Sequence, residues 1–284
     1  MKKRTLTLIL TIILLGCVAA VCVAVSCGGK NKSENESKED VSQDENQNKS
    51  QDLLIKSVSY DENNVVKNYI VNEYDENKKR IKETYYNSDD TVNAYVIFEY
   101  DEKGYCTKYT NYNQDNEAIS YVIIDYDKNG YQKNQAYCSM DNTQIQSSAY
   151  EYDEKGKLTK FISYNADGAV DDYKIYEYNK DGNRKKYTDY RADGSVSKYV
   201  VYEYDKNGNR IKRTYINPDN TVKKYEVYEY DKNGNRIKEI NYNGDDMVED
   251  YCISEYDENG NCIKKTIYNA DDTIKEYLVY EYAK

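Results

Sequence analysis

The sequence predicts an all-β fold of tandem 26-residue units, each giving two strands to a long antiparallel meander that coils into an open spiral sheet. The first observation is a tyrosine repeated every 26 residues, at Tyr74, Tyr100, Tyr126, Tyr152, Tyr178, Tyr204, Tyr230, Tyr256 and Tyr282. A fixed period of this size is typical of repeat architectures. The second is the alternation of Asn/Asp/Gly clusters, typical of hairpin turns, with strand-length runs of β-branched and aromatic residues. The third is the lack of an apolar i, i+3, i+4 stripe, which argues against helices.

Nine units begin at residues 49, 75, 101, 127, 153, 179, 205, 231 and 257. They define a repeat domain over residues 49–284 with roughly eighteen strands, two in each unit. The unit 127–152 departs furthest from the pattern, because Cys138, Gln144 and Ser147 replace the usual Tyr, Val and Tyr. Since each unit contacts mainly its neighbours, stability is expected to grow with the number of units.

The faces of the sheet follow if both turns of a unit are three-residue loops with glycine, or a substitute, at the bulge position. This register places Ile211 opposite Val227. The other face is then predicted to carry tyrosines beside basic side chains: Tyr228, Tyr230, Arg210, Arg236, Lys212 and Lys238. Neither face is cleanly polar, so the sequence favours an open spiral or trough over a sandwich.

The composition predicts that tyrosine, rather than aliphatic residues, supplies most of the buried apolar surface. The chain carries 36 Tyr but only 2 Phe and no Trp, 32% of its residues are charged, and its net charge is −11. This acidic balance argues against nucleic acid as a partner, since phosphate binding needs a clustered basic surface. The chain has no histidine, which excludes Ser-His-Asp and Cys-His nucleophilic sites and imidazole zinc sites. An enzyme that uses carboxylates alone remains the catalytic alternative.

The N-terminus has the form of a secretory signal, with Lys2-Lys3-Arg4 before an uncharged apolar run from Thr5 to Val25. The small residues of Ala24-Val25-Ser26, followed by Cys27, resemble the bacterial lipoprotein processing site. The resemblance implies a signal peptide over residues 1–27, with lipidation of Cys27 and membrane attachment through that lipid.

Three alternatives stay open for this segment. Leu14-Leu15-Gly16-Cys17 is a second candidate processing site, so Cys17 competes with Cys27. An uncleaved transmembrane anchor and a released protein are the other two. All of them place the repeats outside the cytoplasm of a bacterial cell. Residues 28–50 are polar and charged, and they are predicted to form a disordered tether.

The turn motif Tyr-Asp-x-x-Gly-Asn recurs at Tyr204-Asp205 with Gly208-Asn209, at Tyr230-Asp231 with Gly234-Asn235, and at Tyr256-Asp257 with Gly260-Asn261. It resembles the YD repeats of bacterial Rhs proteins, which build a β-sheet shell around a toxin. The spacing here is longer and the units are too few to enclose a cargo. The shell function is therefore not expected to carry over.

No metal, cofactor or catalytic site is predicted. The Asp-Lys-Asn-Gly-Asn turn lacks the Gly and Glu spacing of an EF-hand loop. The acids Glu99, Asp125, Glu151, Glu177, Glu203, Glu229, Glu255 and Glu281 form a periodic column, which indicates a solvated or lysine-paired ladder rather than a catalytic pair. Cys106, Cys138, Cys252 and Cys262 are predicted to be free thiols, because the register offsets them too far to bridge.

The tyrosine columns are the candidate ligand surface, represented by Tyr176, Tyr178, Tyr202, Tyr204, Tyr228 and Tyr230. The competing interpretation is that these rings simply pack the sheet. The leading hypothesis is a non-catalytic, surface-anchored repeat lipoprotein that presents a tyrosine-rich β surface for adhesion or scaffolding, with a surface glycan or another protein as partner. The alternative is a glycan or cell-wall binding module.

Overall fold

A computed structural model describes residues 52–283, so the predictions for the signal segment 1–27, for Cys27 and for the tether 28–50 lie outside the described residues. The repeats form strands β1 Leu54–Asp61, β2 Val66–Tyr74, β3 Arg80–Asn87, β4 Val92–Tyr100, β5 Cys106–Asn113, β6 Ala118–Tyr126, β7 Gln132–Ser139, β8 Gln144–Tyr152, β9 Leu158–Tyr164, β10 Val170–Tyr178, β11 Arg184–Arg191, β12 Val196–Tyr204, β13 Arg210–Ile216, β14 Val222–Tyr230, β15 Arg236–Asn243, β16 Val248–Tyr256, β17 Cys262–Asn269 and β18 Ile274–Tyr282. The described part of the chain contains no apolar helix of the length needed to span a bilayer.

The hairpin turns have the predicted three-residue loops. In the β12–β13 turn, the N–H of Asp205 donates to the carbonyl of Asn209 at 2.9 Å, and the N–H of Gly208 donates to the carbonyl of Asp205 at 3.1 Å. Gly208 has a φ of 87°, in the left-handed region that glycine adopts without steric cost. The Asp205 side chain completes the loop, because its Oδ1 accepts hydrogen bonds from the N–H groups of Asn207 and Asn209.

The sheet closes into a barrel, so the prediction of an open spiral sheet is wrong. β1 pairs with β2 on one side and with β18 on the other, and Val58 lies opposite Val279. Closure follows from a constant register. Val71 of β2 pairs with Thr84 of β3, and Thr84 pairs with Tyr95 of β4. The equivalent of Val71 in the next unit is Ile97, so each unit shifts the register by two residues. Nine such units give 18 strands a stagger of 18 residues, a combination that closes a barrel roughly 30 Å across with strands tilted about 35–45°.

The junction between the chain ends reproduces the hydrogen bonding of an intact turn. The N–H of Ala283 donates to the carbonyl of Leu53 at 2.8 Å, as the N–H of Asp257 donates to the carbonyl of Asn261 at 2.9 Å. The side chain of Asn261 also donates to Asp52 at 3.0 Å. The last unit therefore meets the first without a break in the ladder.

The predicted register is wrong by one residue, because each hairpin contains an additional bulge. Lys212, rather than Ile211, pairs with Val227, since the ladder of β13 and β14 shifts between Tyr215 and Ile216. A bulge sets two residues of one strand against one of its partner and increases the local twist. Past the shift the side chains change face, until a second bulge at Ile211 returns Arg210 to the face of Tyr228. Lys212 and Lys238 consequently lie on the opposite face from Tyr228 and Tyr230, beside which they were predicted.

Alternate residues of every strand line the barrel interior or the outer surface. In β14, Glu226 and Tyr228 are buried on the inner face, whereas Glu229 is exposed on the outer one. The inner face therefore carries both tyrosine rings and charged side chains.

Tyrosine hydroxyls form a ladder around one end of the inner face. Each hydroxyl donates to the backbone carbonyl twenty residues earlier, which ties the second strand of a unit to the first strand of the same unit. The tyrosines of this hydroxyl ladder are Tyr74, Tyr100, Tyr126, Tyr178, Tyr204, Tyr230, Tyr256 and Tyr282.

The inner face divides into two arcs of different chemistry. The inner positions of β4–β9 carry no charged side chain, and include the buried Val122, Tyr150 and Phe161. The inner face of β10–β18 instead carries ion pairs: Lys174–Asp172 at 3.8 Å, Lys198–Asp189 at 3.5 Å, Arg213–Glu226 at 3.5 Å and Arg236–Glu239 at 3.3 Å. The inner positions thus differ from unit to unit, whereas the turns and the outer columns largely repeat.

Candidate binding surface

The six tyrosines predicted as a ligand surface all lie on the inner face. Tyr176, Tyr202 and Tyr228 are only 5%, 5% and 4% exposed. Tyr178, Tyr204 and Tyr230 are half-buried, and each hydroxyl donates to a backbone carbonyl at 2.7 Å. Their role in ligand binding stays a prediction, but this position gives all six a packing role.

Basic side chains lie over these inner rings. The guanidinium of Arg210 lies 5.4 Å from the ring centroid of Tyr202 and 5.1 Å from that of Tyr228, and the guanidinium of Arg236 also lies 5.1 Å from Tyr228. The predicted neighbourhood of Tyr228 with Arg210 and Arg236 is therefore confirmed. Burial raises the pKa of Tyr228 well above its usual value, which keeps the phenol neutral and able to donate its proton to Glu226.

The outer surface carries a second set of tyrosines, which the predicted register missed. Six pairs stack across neighbouring strands with ring centroids 4.6–4.8 Å apart and planes 5–9° from parallel: Tyr60–Tyr277, Tyr69–Tyr86, Tyr95–Tyr112, Tyr173–Tyr190, Tyr225–Tyr242 and Tyr251–Tyr268. We call these pairs the tyrosine belt. The signal that could have found them is the 26-residue recurrence of both members of each pair.

Lysines and glutamates flank the tyrosine belt. The ammonium group of Lys212 lies 4.3 Å from the ring centroid of Tyr225, and that of Lys238 lies 5.2 Å from the centroid of Tyr251. The predicted acidic column lies on the outer face beside these lysines, where Glu99 pairs with Lys108 at 2.8 Å. Exposed pairs of this kind contribute little to stability. The column is thus a lysine-paired ladder at this point, as the sequence indicated.

The belt hydroxyls anchor to turn residues. The hydroxyl of Tyr69 donates to Oδ1 of Asp90 at 2.8 Å, and that of Tyr251 donates to Asp272 at 2.9 Å. Desolvation is the largest cause that raises the pKa of Tyr69 to about 12, and the hydrogen bond to Asp90 is the second. The Tyr69 phenol is therefore neutral at physiological pH, and the hydrogen bonds hold both rings in one orientation.

The belt is interrupted on β6–β9, where small residues leave a depression of about 540 Å³ in the outer surface. Ser147 lies opposite Tyr164, at the position of the Tyr173–Tyr190 pair in the next unit. Beside it, Ala149 lies opposite Asn134. We call this feature the β6–β9 depression. It belongs to the unit that the sequence identified as furthest from the pattern.

The lining of the depression combines polar groups with the apolar side chains of Ile123, Ala136 and Ala149, and it contains no cation. Asp125 faces Asn134 across β6 and β7, where other units place an acid opposite a lysine. Gln144 and Ser147 add an amide and a hydroxyl, and Tyr164 adds an aromatic ring. Among residues 52–283, no basic side chain forms an ion pair with Asp125. The depression therefore combines hydrogen-bonding groups with one aromatic face.

The cysteines and acids of the described residues form neither disulfides nor a metal-binding cluster. Cys106, Cys138, Cys252 and Cys262 are free thiols, as predicted. Cys262 pairs with Tyr256, four residues from Cys252, which explains why these two do not bridge. Within the described residues no three or more Cys, Asp or Glu side chains are grouped so that they could hold a metal ion.

Comparison of the sequence with protein families matches residues 170–215 to a family described as "Protein of unknown function (DUF2963)". This segment comprises β10–β12 and most of β13. No curated protein matches the sequence.

Several solved structures resemble the fold. A porin-like protein from Bacteroides uniformis is 10% identical, with a TM-score of 0.45 over 81% of this chain and 98% of that chain. A porin-like protein from Bacteroides vulgatus is 13% identical, with a TM-score of 0.36 over 82% of this chain and 99% of that one. The Tc holotoxin pore of Photorhabdus luminescens is 14% identical, with a TM-score of 0.37 over 74% of this chain.

This chain spans only 12% of the length of the toxin chain. At these identities and TM-scores, the likenesses carry no argument about function. The structure itself establishes a closed β-barrel of tandem hairpins, whose outer surface carries a tyrosine belt with an interruption on β6–β9.

Proposed function

We propose that this protein is a non-catalytic, surface-anchored repeat lipoprotein whose barrel presents a tyrosine-rich outer surface for adhesion or scaffolding. The observation that carries the proposal is the tyrosine belt, six stacked ring pairs on the outer face of a closed barrel. Tyrosine offers a large amphipathic contact area at a low cost in conformational entropy.

The belt is ordered before any partner arrives. In the Tyr225–Tyr242 pair, the ring planes lie 9° from parallel, and Lys212 covers one of the two rings. A surface with rings already fixed loses little side-chain freedom on binding, so more of the contact energy contributes to affinity. A rigid surface repeated around a barrel suits a scaffold that contacts several partners.

The anchoring part of the proposal rests on sequence resemblance. The signal-like segment 1–27 with Cys27 resembles a lipoprotein processing site, and the repeat turns resemble the YD repeats of Rhs proteins. In this proposal the lipid on Cys27 attaches the protein to a bacterial membrane, and residues 28–50 space the barrel from it. The intact mass of membrane-extracted protein tests the anchor, because an unmodified chain beginning at Met1 contradicts lipidation.

The adhesion proposal is tested with cells that display the full chain. Replacing Tyr225 and Tyr242 by Thr removes one belt pair, and the β-branched threonines still favour strands at both positions. We expect reduced attachment of the cells to one another and to protein-coated plates, with equal amounts of protein on the surface. A matched control replaces Ile175 and Ile253, two exposed residues outside the belt, by Thr and is expected to attach normally. Equal attachment by the belt variant and the parent contradicts the proposal.

A glycan or cell-wall binding module is the second candidate function. The observation that favours it is the β6–β9 depression, a concavity in the outer surface whose lining combines an aromatic ring with polar groups.

A further inference from the structure

We infer that the β6–β9 depression is a binding site for an uncharged saccharide, of one to three sugar rings, with Tyr164 as its stacking platform. This inference rests on the second candidate function and gives it a location and a ligand class. It is independent of the adhesive role proposed for the tyrosine belt.

The depression arises from substitutions that all lie on the outer face of neighbouring strands. Ile123, Ala136, Ser147 and Tyr164 form one row across β6–β9, and each lies opposite the next in the ladder. One unit further along, the equivalents of Ser147 and Ala149 are a tyrosine and an isoleucine. Loss of these larger side chains creates the space, and its volume of about 540 Å³ lies within the range of small-molecule sites.

The ring of Tyr164 lines this space without an aromatic partner. In the next unit, the equivalent Tyr190 stacks on Tyr173 with centroids 4.8 Å apart. At Tyr164 the facing residue is Ser147, and no aromatic ring of the described residues stacks on it. The C–H face of a sugar ring is flat and apolar, so it can replace the missing tyrosine against the ring.

The polar groups around Tyr164 match the hydroxyls of a sugar. Asn134 and Gln144 each offer amide donors and an acceptor, Ser147 offers a hydroxyl, and Asp125 offers a carboxylate acceptor. Mixed donors and acceptors beside an aromatic face are the arrangement needed for a ligand with hydroxyls at its rim and carbon in its ring plane.

The charge of the depression selects against acidic saccharides. Asn134 occupies the position of Lys160 in the next unit, so the cation that would pair with a carboxylate is missing. Asp125, the equivalent of Glu151, keeps the negative charge of the acidic column. A uronic acid would meet this carboxylate without a compensating cation, which is unfavourable. An uncharged sugar avoids this repulsion.

The site is tested on the full chain with a panel of uncharged hexose and N-acetylhexosamine trisaccharides, and with uronic-acid trisaccharides of equal length. We expect saturable binding of at least one uncharged trisaccharide, measured by calorimetric titration. Ser147→Tyr, which restores the residue found in the regular units, is expected to weaken binding by about tenfold or more, as is Tyr164→Ala.

The matched control is Tyr190→Ala, which removes the equivalent tyrosine one unit further along and is expected to leave the affinity unchanged. Ser147→Tyr is also expected to fold, because a tyrosine at this position stacks in the regular units. Full binding by Ser147→Tyr overturns the inference, as does binding by no uncharged trisaccharide or a preference for uronic acids. Equal losses in Tyr190→Ala and Tyr164→Ala assign binding to the belt and overturn it too. Cell attachment is measured separately, so the adhesive role fails or stands on its own result.

Discussion

Val58 of the first strand pairs with Val279 of the last strand as Thr84 of β3 pairs with Val71 of β2. The barrel closes through the same register that joins strands within the array. Closure therefore needs no special sequence at the ends, only whole units and a constant stagger.

A circular permutant tests this equivalence. In this variant, Lys-Asn-Gly joins Ala283 to Leu53. The chain is opened within the turn at residues 206–208, so the new ends lie in that turn. Because the Ala283–Leu53 hydrogen bond already matches that of an intact turn, we expect the same barrel and a melting temperature within a few degrees of the parent. Circular dichroism and thermal unfolding measure the outcome, and a loss of cooperative unfolding contradicts it.

Deletion of one whole unit is expected to leave a closed barrel. Removing residues 179–204 takes away β11 and β12 and leaves sixteen strands with an unchanged register at every junction. Removing residues 179–191 deletes β11 alone, which makes the end strands run parallel and prevents their antiparallel pairing. We expect cooperative urea unfolding in the first variant only. Similar unfolding curves for both would contradict this account of closure.

The hydroxyl ladder predicts opposite results at two equivalent positions. Tyr74 donates its hydroxyl to the carbonyl of Leu54 at 2.8 Å, whereas the buried hydroxyl of Tyr152 has no hydrogen-bond partner among residues 52–283. Tyr74→Phe is therefore expected to lower the free energy of unfolding by about 1 kcal/mol, and Tyr152→Phe to leave it unchanged or raise it. Urea denaturation of both variants measures the difference. Equal destabilisation would show that the hydroxyl bond is not what distinguishes them.

The turn aspartates predict a loss of stability in acid. The side-chain hydrogen bond from Asn261 lowers the pKa of Asp257; partial desolvation opposes this, and backbone N–H groups of Asn261 and Asn259 add to it. Since the folded pKa lies below the unfolded one, this stabilisation is present above about pH 4 and is lost as the pH falls through the folded value. Asp257→Asn is expected to flatten the pH dependence of unfolding below about pH 4.

The chain supplies a natural control for that substitution. Asn179 holds the equivalent turn position and accepts the same backbone hydrogen bonds, from Asp181 at 3.0 Å and Asn183 at 2.9 Å. Stability at neutral pH should therefore change little in Asp257→Asn. Thermal unfolding between about pH 7 and pH 2 measures both effects, and an unchanged acid profile would exclude a role for this carboxylate.

The turns and strands could be predicted from the sequence because their causes are local. Gly208 permits a left-handed backbone, and the Asp205 side chain satisfies the loop amides whatever lies elsewhere in the chain. The bulge near Lys223 could not be predicted, since it needs no special residue type. That shift moved Lys212 away from the face of Tyr228, and a similar shift at Ile237 concealed the pairing of Tyr225 with Tyr242 in the tyrosine belt.

Closure could not be predicted for a related reason. It depends on small twists and staggers that accumulate over eighteen strands, and the sequence of one unit does not determine their sum. The β6–β9 depression was partly visible, because Ser147 and Cys138 break the repeat. Only the observed register shows that Ser147 faces Tyr164 on the outer surface.

The separation of repeated outer residues from varied inner ones has a consequence for rearrangement. Two units could trade places in the chain and every strand would still find an equivalent neighbour, because the ladder and the turns are the same in each. The lumen would nevertheless be rebuilt, with its charged and uncharged stretches in a new order. The outer surface and the inner face can thus change independently, because they are formed by alternate residues of the same strands.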